Sequence, residues 1–360
     1  MTNHRAVAVK LGWVLVMVLA TMLALSDSAQ AASRQVNIGC GQDIDNIING
    51  DPAGTTTRFV LGADCTHMAS ATLKPESGDE IICSIAPTYV RMASAFDPAT
   101  RCTISGVSGL TQVMKPQGTF YMWGVTVTGG TFTGNAGTGV GIAEGQMSGS
   151  SWIEGSVIRD NQGAGISNAH GVHDSIELTN TTTNPNALGF IGSGIKGVDE
   201  FNIEHSYVHD NQGNGIWCDE HCNDVSGAPY SVFHVNGNLV VNNGREGIRF
   251  EKVGDTGGAS EASAGEALIE YNEVHGNGWE STRAGIGARD SQHALIRNNV
   301  FGATTIAGVS YGKNSGGAIR ASDSGRSDRP DLLDIAITLN ILNGEVIKGC
   351  ELPAWVVYCF

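Results

Sequence analysis

The sequence predicts an all-β fold, a solenoid of short strands wound three to a turn. Composition, a recurring Gly-Ile step and a second repeated element upstream of it carry this reading. The 360 residues include 49 glycines but only 9 prolines, with many Asn-Gly and Gly-Ile steps, which favours short strands joined by tight turns. The Gly-Ile step stands in "RDNQGAGIS", "HDNQGNGIW", "VNNGREGIR" and "RAGIGAR", at Gly165, Gly215, Gly247 and Gly285, with weaker members at Gly194 and Gly308. Successive spacings are 29, 21, 32, 38 and 23 residues. A short period with variable insertions is that of a three-strand coil whose extra residues leave as loops.

The elements follow in chain order. A basic lead ending at Lys10, an apolar run over 11–25 and Ala29-Gln30-Ala31 make residues 1–31 a Sec-type signal peptide. The run is 15 residues, short of the ~20 that span a bilayer, and no later stretch approaches it. A secreted or periplasmic protein without a membrane span is expected. Omitting Arg5, Lys10 and Asp27 with that segment moves the formal charge from −15 to −16. Such a chain repels nucleic acid and anionic lipid, and leaves divalent cations and polysaccharides as partners. No organic cofactor is indicated, and a monomer is expected. All eight cysteines follow the signal, as in an oxidising compartment. Eight allow 105 pairings. Proximity favours Cys40–Cys65, Cys83–Cys102, Cys218–Cys222 and Cys350–Cys359. Helical periodicity is confined to the signal and to "DIDNIING" at 43–50.

The second repeated element reads "GSVIRDN", "HSYVHDN", "GNLVVNN", "YNEVHGN" and "RNNVFGA", which aligns Asn238, Asn272 and Asn298, with Asn340 as a later match. Asparagines stacked at one corner of successive coils hydrogen-bond along the axis, and these are read as structural.

With these "N-x-V-x-x-N-x-G-x-G-I" coils, the chain resembles the secreted bacterial right-handed parallel β-helix repeat proteins of the pectin-lyase-like superfamily. The resemblance covers roughly residues 124–345 and is specific for fold but not for reaction. It implies an N-terminal cap and first coils over 32–123, where "IDNIIN", "FVLGADC" and "LKPESGDEI" are similar to the family's start. It also implies a disulfide-closed C-terminal cap over 346–360. Caps are physically needed because an open coil end exposes core and unpaired strand edges.

Alternation then places side chains. The residue after each glycine points inward: Ile166, Ile195, Ile216, Ile248, Ile286 and Val309. The next points outward: Ser167, Lys196, Trp217, Arg249, Gly287 and Ser310. Two further on, again outward, are Ala169, Val198, Asp219, Glu251, Arg289 and Gly312. With coils ~4.8 Å apart, Lys196, Trp217, Asp219, Arg249, Glu251 and Arg289 are expected on one exposed face.

The functional expectation draws on sugar chemistry. Trp217 offers a platform for a pyranose ring, His221 lies close by in sequence, and Arg or Lys binds a uronate carboxylate. Such a face suits a uronate-containing polysaccharide cleaved by β-elimination. Lys196 or Arg249 would be the base, and Arg289, or a Ca2+ held by Asp219 and Glu251, would neutralise the enediolate. The rivals are a glycoside hydrolase using Asp219 and Glu251, a non-catalytic glycan-binding or adhesin-like protein, and a structural envelope component. Replacing both acids by alanine is expected to leave the fold intact. A zinc centre in "GNGIWCDEHCND", 213–224, is disfavoured, because one histidine and a C-x3-C supply too few convergent ligands.

The chain departs from characterised relatives of that superfamily. It lacks the adjacent Asp pair and G-H-G of polygalacturonase-like enzymes and the R-x-P-x-x-R of pectate-lyase-like ones. The epimerase-type D-P-H-D has only a loose analogue in His170, His173 and Asp174 of "HGVHD", read as a polar loop. His205, His209, His234 and His275 are read as turn or ladder residues. A groove walled by the insertions at 179–190 and 254–265 would separate an enzyme from a flat binder.

Overall fold

The computed structural model describes residues 32–135, 138–143, 151–169, 172–177, 193–197, 201–219, 232–253, 266–280, 282–323, 333–349 and 357–359. The signal-peptide reading, His170, Val198, His221, Cys222, Cys350 and both insertions lie outside these residues.

Short strands stack into three parallel sheets. One of 15 strands runs from Arg34–Ile38 to Val357–Cys359, one of nine from Gln112–Met114 to Ile347–Lys348, and one of four from Tyr207–His209 to Val300–Phe301. A single coil visits all three: Val232–Asn236, then Leu239–Val241, then Ile248–Glu251. The next coil, Glu266–Glu270, Glu273–His275 and Ile286–Arg289, lies on it in register, pairing Phe233 with Ala267, Val240 with Val274 and Ile248 with Ile286. The fold is an all-β parallel β-helix. Among the described residues, no helix is long and apolar enough to cross a membrane.

Alternation buries one side of every strand. Ile166, Ile195, Ile216, Ile248, Ile286 and Ile319 form an unbroken, fully buried column along the nine-stranded sheet. Burial of each such side chain is worth about 2 kcal/mol. The last member corrects the sequence reading. Val309 is not inward: it stands in the antiparallel hairpin Thr304–Ile306 and Val309–Tyr311, which leaves the coil and exposes it. Ser310 and Gly312 therefore yield their outward places to Arg320 and Ser322, and Ala318 takes the glycine's place.

The hairpin joins a second one, Thr88–Met92 with Ala95–Ala99, outside the four-stranded sheet. Met92, Ala95, Tyr207, Leu239, Val241, Ile306 and Tyr311 close a small second core there. The Tyr207 and Tyr311 hydroxyls meet at 3.0 Å within it.

The short helix is Ile44–Asn49. Asp43 caps it by accepting from Asn46 N, and Ile44 and Ile48 enter the main core. Asp45 ties it to the first coils by accepting from Ser70 N and Ala71 N. Disulfides Cys40–Cys65 and Cys83–Cys102 form as expected. Cys218 and Cys359 are also disulfide-bonded, with partners outside the described residues.

Two columns of buried asparagines hold the corners. In the first, Asn238 N and Nδ2 donate to Asn272 Oδ1 at 2.9 and 3.0 Å, Asn272 donates likewise to Asn299, and Asn299 to Asn340. Each amide also donates to a strand carbonyl, Asn272 Nδ2 to Val235 O. Asn299, not Asn298, belongs to the column. Asn298 has φ 56°, the left-handed corner conformation that Gly237, Tyr271 and Leu339 adopt immediately before Asn238, Asn272 and Asn340. A second column, Asn211, Asn243, Asn277 and Asn314, ends on the Glu345 carboxylate.

Asn272→Ala removes the acceptor of two buried donors and the amide that donates to Val235 O and Asn299 Oδ1. A loss of about 3 kcal/mol or more is expected in chemical denaturation. The exposed control Asn37→Ala should lose almost nothing, and equal losses would deny the column its role. Asp79, fully buried, gives a pH test. Desolvation outweighs the hydrogen bonds from Thr57 N and Glu76 N and, with help from Asp51, pushes its carboxyl up to about 6. A raised carboxyl binds its proton more tightly when folded, so its contribution is greatest below pH 4 and declines as pH rises to about 6. The stability of Asp79→Asn relative to the parent should therefore climb over that window, by on the order of 2 kcal/mol. A flat difference would refute the assignment.

Candidate functional site

The nine-stranded sheet lines up the outward row Ser167, Lys196, Trp217, Arg249, Gly287, Arg320 and Lys348, one residue per coil. Glu251, Arg289 and Ser322 form the parallel row two residues on, and Asp219 follows the strand Ile216–Cys218. Lys196, Trp217, Asp219, Arg249, Glu251 and Arg289 thus come together as expected.

They are not, however, an open face. Long side chains one coil apart cover each other, so Trp217, Arg249 and Glu251 are buried although they point away from the core. Lys196 Nζ lies 4.9 Å from the Trp217 ring centroid, and the Arg249 guanidinium, from the next coil, lies 5.6 Å from it. Trp217 Nε1 donates to Glu251 Oε2 at 3.2 Å. The platform expected for a sugar is occupied by the protein's own cations.

The charges are knitted together. Lys196 Nζ sits 2.7 Å from Asp219 Oδ2, and Arg249 donates to Glu251 Oε1 at 2.6 Å. Arg289 approaches the same Glu251 oxygen at 3.6 Å. Burial by itself would lower the Arg249 guanidinium, but Glu246 and Glu251 beside it outweigh that and raise it. Arg249 is therefore held as a cation between two carboxylates. Alanine at Glu251 is expected to destabilise the chain, because it would leave Arg249 buried with half its partners.

Sequence reasoning missed Glu246, Arg283 and Arg320. Together with Arg249, Arg289, Gly287 and the acidic Asp323 they line a cleft of about 220 Å³. Glu246 is buried, receives Arg283 Nη1 at 3.4 Å on Oε1 and lies 3.6 Å from Arg249 Nη1 through Oε2. Arg320 and Lys348 are exposed and form no ion pair with a described residue.

Ca2+ takes six to eight oxygens. Here both Glu251 oxygens are engaged and Asp219 holds Lys196. Among the described residues, no group of three or more His, Cys, Asp or Glu is placed to hold a metal. This donor set does not fit Ca2+. His173 and Asp174 fall on the strand Val172–Glu177, away from the cluster in the 15-stranded sheet.

With the geometry in view, residues 90–256 match the family model described as right handed beta helix region. The parallel coils continue beyond that stretch on both sides. Similar solved structures include the A-module of mannuronan C-5 epimerase AlgE6 from Azotobacter vinelandii, with 13% identity, 84% of this chain and 89% of that chain covered, and a TM-score of 0.44. An alginate lyase from Paenibacillus sp. str. FPU-7 gives 16%, 91%, 99% and 0.44 in the same order. The Dettilon tailspike protein gp208 gives 14%, 84%, 62% and 0.49. A search of curated proteins finds no match.

Arg249→Leu leaves Glu246 and Glu251 buried without their shared cation. A loss of about 3–5 kcal/mol is expected in thermal or denaturant unfolding. Arg320→Gln, at an exposed position, should leave the melting temperature where it was. Comparable losses in the two variants would contradict the network drawn above.

Proposed function

We propose that the protein is exported and acts on a uronate-containing extracellular polysaccharide, which it grips along the nine-stranded sheet and cleaves by β-elimination. The observation that carries this reading is the arginine-lined cleft in a chain of formal charge −15. An acidic protein that gathers Arg249, Arg283, Arg289 and Arg320 around one cleft, against only Glu246 and Asp323, concentrates cations where its net charge disfavours them. Guanidinium is the side chain best shaped for a carboxylate.

Cations also recur along the helix axis. Lys196, Arg249, Arg320 and Lys348 occupy outward places in coils ~4.8 Å apart. Of these only Arg320 and Lys348, on adjacent coils, are exposed, and a polymer carrying a carboxylate on every ring would meet that pair in turn. In the elimination, a base takes the proton alpha to the carboxylate, the electron pair forms the new double bond, and the glycosidic oxygen leaves. Arg289 and Arg320 would neutralise the enediolate on the way.

Hydrolysis is less favoured, because Glu251 has both oxygens engaged and Asp219 holds Lys196. Binding without cleavage is a second reading that one observation favours. With Arg249 fixed as a cation, Lys196 is the remaining base from the sequence reading, and its ammonium is already against Asp219.

Pectic, alginate and glycosaminoglycan polymers, each with Ca2+ or chelator, separate these readings. Ultraviolet absorbance of an unsaturated uronate, rising with reducing ends, is the expected result. Reducing ends alone would mean hydrolysis, and binding in affinity electrophoresis with neither signal would mean recognition only. Arg289→Gln and Arg320→Gln should each weaken polymer binding about tenfold with an unchanged melting temperature. Unaltered affinity in both would remove the cleft from the reading.

A further inference from the structure

We infer that the gap at Gly287 is a subsite for one hexuronate ring, with a ring hydroxyl held by Glu246 and Arg249 and the ring carboxylate by Arg289 and Arg320. The inference rests on the uronate reading above and deepens it by naming what fills the cleft.

From Lys196 to Lys348 the outward row carries a long side chain on each coil except at Gly287. With coils ~4.8 Å apart, that omission leaves roughly 10 Å between the strands of Arg249 and Arg320. Gly287 has no left-handed φ, so what its missing side chain provides is space. A Cβ there would stand 3.1 Å from Glu246 Cγ, and a larger side chain would enter the cleft.

The chemistry of the gap is set by two orphaned atoms. Glu246 Oε2, an acceptor, and Arg249 Nε, a donor, are buried without a hydrogen-bond partner, on residues 7% and 9% exposed, Oε2 having only the Arg249 Nη1 charge 3.6 Å away. Both side chains line the cleft. Buried polar atoms are almost always satisfied, so a pair left open beside a cleft marks where a ligand's polar group goes. One atom asks for a donor and the other for an acceptor. A hydroxyl supplies both from a single oxygen.

Charge then sets the other end of the ligand. Arg289, two residues along the strand from Gly287, and Arg320, on the next coil, also line the cleft. Arg320 forms no ion pair with a described residue, and Arg289 is part-exposed, with its carboxylate contacts at 3.6 and 3.7 Å. A ring that presents a hydroxyl inward and a carboxylate to these two guanidiniums is a hexuronate. A simple polycarboxylate satisfies the arginines but not the orphaned pair, and a neutral sugar does the reverse.

The test is calorimetric titration of the mature protein with three probes. These are oligouronates from alginate and polygalacturonate, their carboxyl-reduced neutral counterparts, and polyacrylate of matched charge. At least one oligouronate should bind about tenfold or more tightly than the other two classes. Gly287→Val, which fills the gap, should weaken that binding at least tenfold, and Gly287→Ser should do so in smaller measure if the valine variant folds poorly. Glu246→Gln should weaken it likewise, because the amide oxygen stays with Arg283 and an NH2 replaces the open acceptor. Melting temperatures of the variants check that the coils are intact. Oligouronate binding that survives all three substitutions would overturn the subsite while leaving the uronate reading standing, and so would polyacrylate binding as tightly. No oligouronate binding by the parent protein would overturn both.

Discussion

Buried amide hydrogen bonds running along the helix axis are the constraint on which the rest of this molecule depends. Inside a column an asparagine such as Asn272 accepts from the backbone and side chain of the asparagine one coil before it and gives its own protons to a neighbouring carbonyl and to the next coil. A residue one place out of step would leave several buried groups unpaired at once. It would also turn the following strand over, because a single-residue slip exchanges core and surface faces. The second column matters most for the site. Asn243, Asn277 and Asn314 stand just before the strands Ile248–Glu251, Ile286–Arg289 and Ile319–Ser322, so the alignment of Arg249, Gly287 and Arg320 is inherited from it. Its last place is taken by Glu345, whose carboxylate accepts from Asn314 as an amide oxygen would.

Much of this was legible because the repeat and the pleat are both periodic. Stacked Gly-Ile steps located the inward column and, by alternation, the charged row beside it. The second asparagine column was also in plain sight, since "HSYVHDN", "GNLVVNN" and "YNEVHGN" all end on one of its members, Asn211, Asn243 and Asn277. What alternation could not resolve was a corner. Asn298 and Asn299 are chemically identical, and only the left-handed turn decides which one faces its neighbours. The failure at Val309 has a different cause. "AGVS" has the local pattern of a coil strand, and its antiparallel partner, 304–306, is as close in sequence as a hairpin allows. Local pattern cannot rank a hairpin against a parallel pairing many residues away.

Burial was the other blind spot. Alternation says which way Trp217 points but not what stands on it, and what stands on it comes from the coils to either side. Glu246 and Arg283 escaped notice for a related reason. They precede the strands, where the period of two does not apply, and they reach the row from its flank. Gly287 was placed correctly in the outward row, yet its meaning lay in what it lacks, which emerges only when both neighbouring coils are known.

These features make the site one of position more than of composition. Arg249 is held between two buried carboxylates and against an indole, so its charge is fixed and largely balanced inside the protein. Fixed, balanced charge of this kind contributes little to long-range attraction but cannot reorganise when a ligand arrives, which keeps the cleft's shape and its open hydrogen-bonding atoms in place. The cations nearer solvent, Arg320 and Lys348, have the converse character: they are exposed, and suited to first contact with a polyanion despite the chain's net negative charge. A rigid interior set and an exposed outer set on one register is what repeated coils deliver when a single residue of the row is reduced to glycine.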